Sequence, residues 1–260
     1  MNARITRREL LVAGMAGAAV GPVAAATAPL LGLVSPVDLT VPPEAAIMYP
    51  SGIRFQQVAV GLKTMTPDGY DQVLDRIAPV AKELAGRGAQ AIALMGTSLS
   101  FYKGASFNRE LTQRITTATG LPAVTMSTAV IEGLRSFGAR RLAVATAYAD
   151  EVNHRLQTFL HEEGFEVLQI KGLGIEKVED ILAVTQDGLL KFSAGVAQSA
   201  PGADALLVSC GGLRTLDLIA PLEQQCRMPV VSSLPHALRA GVRLVGLSGR
   251  SPGHGRLLSL

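Results

Sequence analysis

The chain has 260 residues, 48% of them apolar and 17% charged, with no tryptophan. That length and balance exclude a disordered segment and suit one large domain or two small ones around a sizeable core. The formal net charge of +3 is mostly that of Arg4, Arg7 and Arg8, so no basic stripe remains and nucleic acid is not an expected partner.

Residues 1–28 read as an export segment. Thr6-Arg7-Arg8-Glu9-Leu10-Leu11 has the twin-arginine pattern, 10–20 is a weakly apolar run rich in Gly and Ala, and Ala24-Ala25-Ala26 and Ala26-Thr27-Ala28 offer cleavage sites. The run is too short and too rich in glycine for a membrane span. The expected location is periplasmic or exported through that signal, and cytoplasmic if the signal does not function.

Leu30-Leu31-Gly32-Leu33-Val34 is the first predicted strand, ending at Ser35-Pro36. Val58-Ala59-Val60 is the second and runs into Gly61-Leu62-Lys63-Thr64-Met65. Thr66-Pro67 has the cap and proline of a helix start. Tyr70, Val73, Leu74, Ile77, Ala81 and Leu84 give that helix one apolar face, Pro79 should kink it and Gly88 ends it. Ala91-Ile92-Ala93-Leu94-Met95 is a strand stopping at Gly96-Thr97-Ser98. A helix over 108–119, a strand at Ala123-Val124-Thr125 and a helix over 128–137 follow. A strand over 142–146 ends at Ala147-Tyr148, and a helix over 151–163 closes at Gly164. Leu206-Leu207-Val208-Ser209 then ends abruptly in Cys210-Gly211-Gly212, and Val230-Val231-Ser232-Ser233 is the last strand. This alternation predicts an α/β fold of parallel sheets built from βαβ units.

The sequence repeats itself. The stretch from Gly88 to Leu99 aligns without gaps with the stretch from Gly202 to Leu213. Leu121-Pro122-Ala123-Val124-Thr125 aligns with Met228-Pro229-Val230-Val231-Ser232, and the strand ending at Tyr148 with the one ending at Pro36, at similar separations. Two related halves follow, with 29–127 and 234–260 in the first domain and 128–233 in the second. A pseudo-twofold axis would face their strand ends into one cleft, where such sheets bind ligands. Gly96 and Cys210 then stand in equivalent places on opposite walls.

Thr97 and Ser98 bring hydroxyls to that cleft, Tyr148 a phenol, and Gly211 and Gly212 bare N–H groups. No lysine, arginine or carboxylate belongs to these motifs. Neutral donors suit a carboxylate or an enediolate oxyanion, and a thiol beside them suits proton transfer at carbon. Each residue also has a structural reading: Thr97 and Ser98 as helix caps, Tyr148 as a core side chain, Cys210 as a small buried hydrophobe. Their shared position at strand ends favours a site.

The remaining motifs carry less. A Cys210–Cys226 bridge is admissible in an oxidising compartment but would consume the thiol, and Cys226 otherwise reads as structural. Gly172-Leu173-Gly174 lacks the third glycine of a dinucleotide loop. His154 and His161 share one solvated helix face without a metal pattern. His236 and His254 receive no role.

Met95-Gly96-Thr97-Ser98-Leu99-Ser100-Phe101-Tyr102-Lys103-Gly104, Thr125-Met126-Ser127-Thr128-Ala129-Val130, Ala145-Thr146-Ala147-Tyr148 and Ser209-Cys210-Gly211-Gly212-Leu213 together resemble the arylmalonate decarboxylase family of the aspartate/glutamate racemase superfamily. The resemblance runs from about Pro29 to the C-terminus. It implies two pseudo-symmetric Rossmann-like domains with the active site between them, and a carboxy-lyase that needs neither metal nor organic cofactor. It further implies that an α-substituted malonate loses one carboxylate from an apolar pocket shaped by Pro36, Leu62, Met65 and Gly96. Thr97, Ser98, Tyr148 and the N–H groups near Cys210 and Gly211 would hold the other carboxylate in a dioxyanion hole. Cys210 would then protonate the enediolate to a chiral monoacid. Racemases and isomerases of that superfamily place a cysteine on each wall; here Gly96 takes the second place, which leaves one proton donor. Met65 replaces a smaller residue, and Leu234-Pro235-His236-Ala237-Leu238 lacks bulky aromatics, so a pocket of different size is expected. The alternatives are a cysteine-dependent isomerase or racemase of maleate isomerase type and, further off, an exported two-lobed solute-binding protein.

Overall fold

The computed structural model describes residues 28–38, 40–181 and 183–260. The twin-arginine motif and the apolar run behind it lie outside the described residues. The first half runs β1 (Leu30–Ser35), α1 (Pro43–Met48), β2 (Arg54–Ala59), α2 (Pro67–Asp71), α3 (Ile77–Gly86), β3 (Ala91–Leu94), α4 (Thr97–Phe101), α5 (Ala105–Thr119), β4 (Ala123–Thr125) and α6 (Met126–Ser136). The second runs β5 (Arg141–Tyr148), α7 (Asp150–Glu162), β6 (Glu166–Ile175), α8 (Val178–Ile181), α9 (Gln186–Gln198), β7 (Ala205–Ser209), α10 (Leu216–Cys226), β8 (Val230–Ser232), α11 (Ser233–Leu244) and α12 (Arg256–Ser259).

Each half builds one four-stranded sheet, ordered β2-β1-β3-β4 and β6-β5-β7-β8, and every pairing is parallel. The repetition reaches individual main-chain bonds. Gln90 N–H donates to the Leu30 carbonyl at 2.8 Å where Asp204 N–H donates to Arg141 at 2.7 Å. Ile92 N–H reaches Pro122 at 3.0 Å where Leu206 N–H reaches Pro229 at 2.9 Å. The alignment of the two halves read from sequence is thus the alignment of their sheets.

The central strands are buried along nearly their whole length, because helices cover both faces of a parallel sheet. Gly32 permits one close approach: a Cβ there would sit 2.9 Å from Ile92 Cδ1 and 3.0 Å from Leu84 Cβ of α3. The outer strands differ from expectation. The second strand is Arg54–Ala59 rather than 58–60, and Gly172 and Gly174 lie inside β6. Both are half-buried edge strands carrying polar residues, so neither shows the apolar run that marks a central strand.

The single kinked helix expected over 66–88 is instead broken. Thr66 caps α2 by accepting from Gly69 N–H, a short 3₁₀ turn spans Leu74–Arg76, and α3 starts afresh at Ile77. Pro79 lies in the first turn of α3, where its missing N–H leaves no bond unmade. A proline there is compatible with a start and causes no kink. The helix expected over 108–119 begins earlier, at Ala105. Its first N–H donates to the Glu162 carboxylate of α7 at 2.6 Å, a cap supplied from the other half. The α11 helix crosses back and packs on α6, β3 and β4. No helix among the described residues is long and apolar enough to cross a membrane.

Candidate active site

Strand C-termini from both halves open into one cleft of about 240 Å³. Its lining includes Pro36, Leu62, Met65, Gly96, Thr97, Ser98, Tyr148, Cys210 and Gly211, all of them expected from sequence. The two walls touch at their strand ends. A Cβ on Gly211 would stand 3.2 Å from the Met95 carbonyl and 2.9 Å from Met126 Sδ, and one on Gly96 would stand 2.9 Å from Pro36 Cγ and 3.0 Å from Leu99 Cβ. Both positions are thus crowded, and a side chain at either would make its neighbours shift.

The loops that roof the cleft are equivalent as well. After β2 the chain turns at Gly61 with φ +78°, and near the end of β6 it turns at Gly174 with φ +73°. Beyond these turns Thr64 and Lys177 form an antiparallel bridge, and Met65 N–H donates to the Glu176 carbonyl at 2.9 Å. Antiparallel pairing of equivalent segments is what a twofold axis produces. It sets Met65 against Val178 and Ile181 as apolar roof.

Thr97 and Ser98 open α4, but Gly96 takes the cap position and no side chain caps that helix. Their hydroxyls are thus not spent as caps. Thr97 Oγ1 donates to Met126 Sδ at 2.8 Å, and Ser98 lies beside the Tyr70 hydroxyl. Ser100 and Ser127, with hydroxyl oxygens 2.7 Å apart, fasten α4 to α6 underneath, and Ser127 Oγ donates to the Thr97 carbonyl at 3.0 Å.

Tyr148 is buried, and burial holds its hydroxyl well above the ordinary phenol range, protonated and able to donate. Its ring meets Phe101 edge-on at 5.7 Å. Cys210 is 5% exposed, and burial pushes its thiol up to about 11. The N–H groups of Gly212 and Leu213 and the Tyr148 hydroxyl act in the opposite sense, since each can donate to a thiolate. At neutral pH the group is a thiol with stabilising donors ready for its conjugate base. Cys210 and Cys226 are both free, so the admissible bridge is not made.

Tyr70, read as one member of an apolar helix face, is not among the lining residues, but its buried hydroxyl lies within electrostatic reach of Cys210. Sequence reasoning missed several residues that do line the cleft. Val178 and Ile181 arrive on α8. Glu44 of α1 and Arg214 bring one charge of each sign to a cleft expected to be neutral. Arg214 is exposed, Glu44 buried. Arg214 directly follows the Ser209–Leu213 motif and was within reach of the sequence. Glu44 sits after Pro42-Pro43, where no pattern marks it. His154 and His161 are exposed as expected, and His236 is buried outside the cleft.

A family model described as arylmalonate decarboxylase matches residues 31–258. The chain belongs to the arylmalonate decarboxylase family. It is 45% identical over 234 residues to the arylmalonate decarboxylase of Bordetella bronchiseptica, covering 89% of this chain and 97% of that one. Among solved structures it is similar, with a TM-score of 0.86 and 44% identity over 88% of this chain and 98% of that one, to a liganded arylmalonate decarboxylase variant. In that variant a glycine is replaced by cysteine and a cysteine by serine, at positions separated by as many residues as Gly96 and Cys210. A maleate isomerase of Pseudomonas putida is 26% identical over 84% of this chain and 86% of that one, the more distant branch of the same superfamily. Membership of the arylmalonate decarboxylase family makes the chain a carboxy-lyase.

Proposed function

We propose that this carboxy-lyase acts on an α-substituted malonate, with an aryl or alkenyl substituent, and that its own side chains and main chain supply every group the reaction needs. The observation that carries the reading is a single protonated thiol, Cys210, facing a wall whose equivalent position is Gly96. One carboxylate accepts hydrogen bonds from Thr97, Ser98, Tyr148 and the Gly211 N–H. The other is pressed against Pro36, Leu62, Met65, Val178 and Ile181, where a charge loses hydration and neutral CO₂ does not. Breaking the bond to that carboxylate leaves its electron pair on the α-carbon, delocalised as an enediolate across the oxygens the donors hold. The Cys210 S–H proton then passes to that carbon from one face. The thiolate left behind accepts from Gly212 and Leu213 N–H until solvent returns its proton.

An isomerase that attacks through a thiolate is less well served, because the raised Cys210 pKa leaves little thiolate at neutral pH. Release of CO₂ from a panel of aryl- and alkenylmalonates tests the proposal, with Cys210→Ala as control. The expected loss in that variant is about 10²–10⁴-fold, the worth of a positioned proton donor. Unchanged turnover in Cys210→Ala would remove the thiol from the mechanism. Exchange of the α-proton of a monoacid without CO₂ release would favour the isomerase.

A further inference from the structure

A second cavity, of about 460 Å³, lies between α6 and α11. It shares no lining residue with the catalytic cleft. The two helices follow β4 and β8 and are counterparts in the duplication. Extending the alignment of Leu121–Thr125 with Met228–Ser232 pairs Ala129 with His236, Glu132 with Arg239 and Ser136 with Arg243. All of these line the cavity, so one repeated surface has become basic on the α11 side.

His236 is 3% exposed. Its Nδ1 lies 2.7 Å from the Ser232 carbonyl oxygen and 3.1 Å from the Ser232 nitrogen, which commits that edge of the ring. Its Nε2 is buried with no hydrogen-bond partner among the described residues, and the same holds for Nε of half-buried Arg239. Arg239 and Arg243 stand one turn apart, and no carboxylate of the described residues lies within 4.0 Å of either. Glu132 faces Arg239 from α6 and Tyr49 from the first half, both at longer range. Buried polar atoms are ordinarily partnered, and two like charges one turn apart repel. A ligand that accepts from both guanidinium groups relieves the repulsion and gives Arg239 Nε a partner.

We propose that this cavity is a second ligand site, which takes a small oxyanion, a carboxylate or a phosphate, between Arg239 and Arg243 with His236 Nε2 beside it. Glu132 offsets one of the two positive charges, so a compact anion is matched better than a polyphosphate. Leu257 and Leu260 leave room for a short apolar group on it. The site stands apart from the reaction and does not depend on the substrate proposed above.

The test follows the ring nitrogens of His236 in the full chain carrying ¹⁵N-histidine, with the resonance assigned by its loss in His236→Gln. Inorganic phosphate and acetate are titrated separately at constant ionic strength. The expected result is a saturable shift of His236 Nε2 with at least one of them. Arg243→Gln should weaken it at least tenfold and Arg239→Gln/Arg243→Gln abolish it, with CO₂ release unchanged. Saturation by phosphate alone or by acetate alone identifies the group. The proposal is overturned if neither anion gives saturation, as an ordered water on Nε2 would, or if Arg243→Gln leaves the titration unchanged. Arg243 is exposed, so that single variant decides the matter even where the double variant fails to fold.

Discussion

At the end of β3 the chain turns through Gly96 into Thr97 and Ser98; at the end of β7 it turns through Cys210 into Gly211 and Gly212. The strands leading to these turns have the same neighbours and the same flanking main-chain bonds. The sheets repeat because each must be covered on both faces by helices of similar reach. On the mechanism proposed above, the turns do not repeat because the chemistry has direction: hydroxyls are needed where charge collects, and a proton is needed on one side only. The same division appears below the sheets, where Ala129 and Glu132 face His236 and Arg239. A duplicated fold therefore leaves its ends free to diverge, and divergence between equivalent positions marks function more sharply than any single motif.

The strongest break of this comparison moves the thiol across the cleft. In Gly96→Cys/Cys210→Ser the proton should reach the α-carbon from the opposite face, and chiral chromatography of the product should show the opposite enantiomer. Turnover should fall by about 10²-fold, the scale of a displacement of roughly 1 Å at a reacting group. The cause is crowding: a Cβ at Gly96 meets Pro36 Cγ at 2.9 Å, so Pro36 or the strand end must give way. Product of unchanged hand would show that the two positions are not equivalent for the reaction.

A second measurement separates a donor from a base at Cys210. The proton is available while the thiol is intact, and burial holds it up to about 11. The decarboxylation rate should stay flat through neutral pH and fall about tenfold per pH unit above that value. A rate that rises instead as the thiol ionises would assign Cys210 the work of a base or nucleophile.

Legibility followed the same line between strand ends and everything else. The central strands are continuous apolar runs, and a parallel sheet fixes where their C-termini point. Gly96, Thr97, Ser98, Tyr148, Cys210 and Gly211 are therefore gathered into one cleft by the sequence pattern alone. The edge strands β2 and β6 are half-exposed, so their pattern is weak, and Gly174 reads as part of an incomplete dinucleotide loop although its counterpart is Gly61. Glu44, Val178 and Ile181 reach the cleft on short helices set by contacts made elsewhere in the fold. No local period announces such contacts. The α5 start is hidden from the sequence for the same reason, since its cap, Glu162, lies in the other half.

His236 gives a smaller effect that the first half should lack. Burial, with Arg239 adding to it, lowers its pKa from 6.5 to about 4. The unfolded chain then binds the proton more readily, so stability is full above pH 6.5 and is lost as pH falls toward 4. The whole shift corresponds to about 3 kcal/mol. Urea midpoints measured between pH 7 and 4 should show this slope. His236→Ala, which copies Ala129, should flatten it while lowering the midpoint at pH 7 through the cavity it leaves. An unaltered slope would place the acid sensitivity elsewhere.

The smallest difference concerns how the two halves hold the start of their central strands. Asp204 accepts from the N–H groups of Arg140 at 3.0 Å and Arg141 at 2.8 Å, and from the Arg141 guanidinium at 2.9 Å. The guanidinium first, and then the main-chain donors, lower its carboxyl to about 2. Its counterpart Gln90 makes the main-chain bond to Leu30, with no such carboxylate to hold the neighbouring N–H groups. The pair with Arg141 is partly exposed and screened by solvent, so Asp204→Ala should cost about 1 kcal/mol rather than the value of a buried pair. Gln90→Ala should cost less than about 0.5 kcal/mol. Because the Asp204 pKa is lowered, its contribution is present above pH 4 and fades toward pH 2, so the two variants should converge in urea midpoint as the solution is acidified. Equal losses at pH 7 would mean that the strand starts are held by main-chain bonds alone, and that this part of the duplication never diverged in energy.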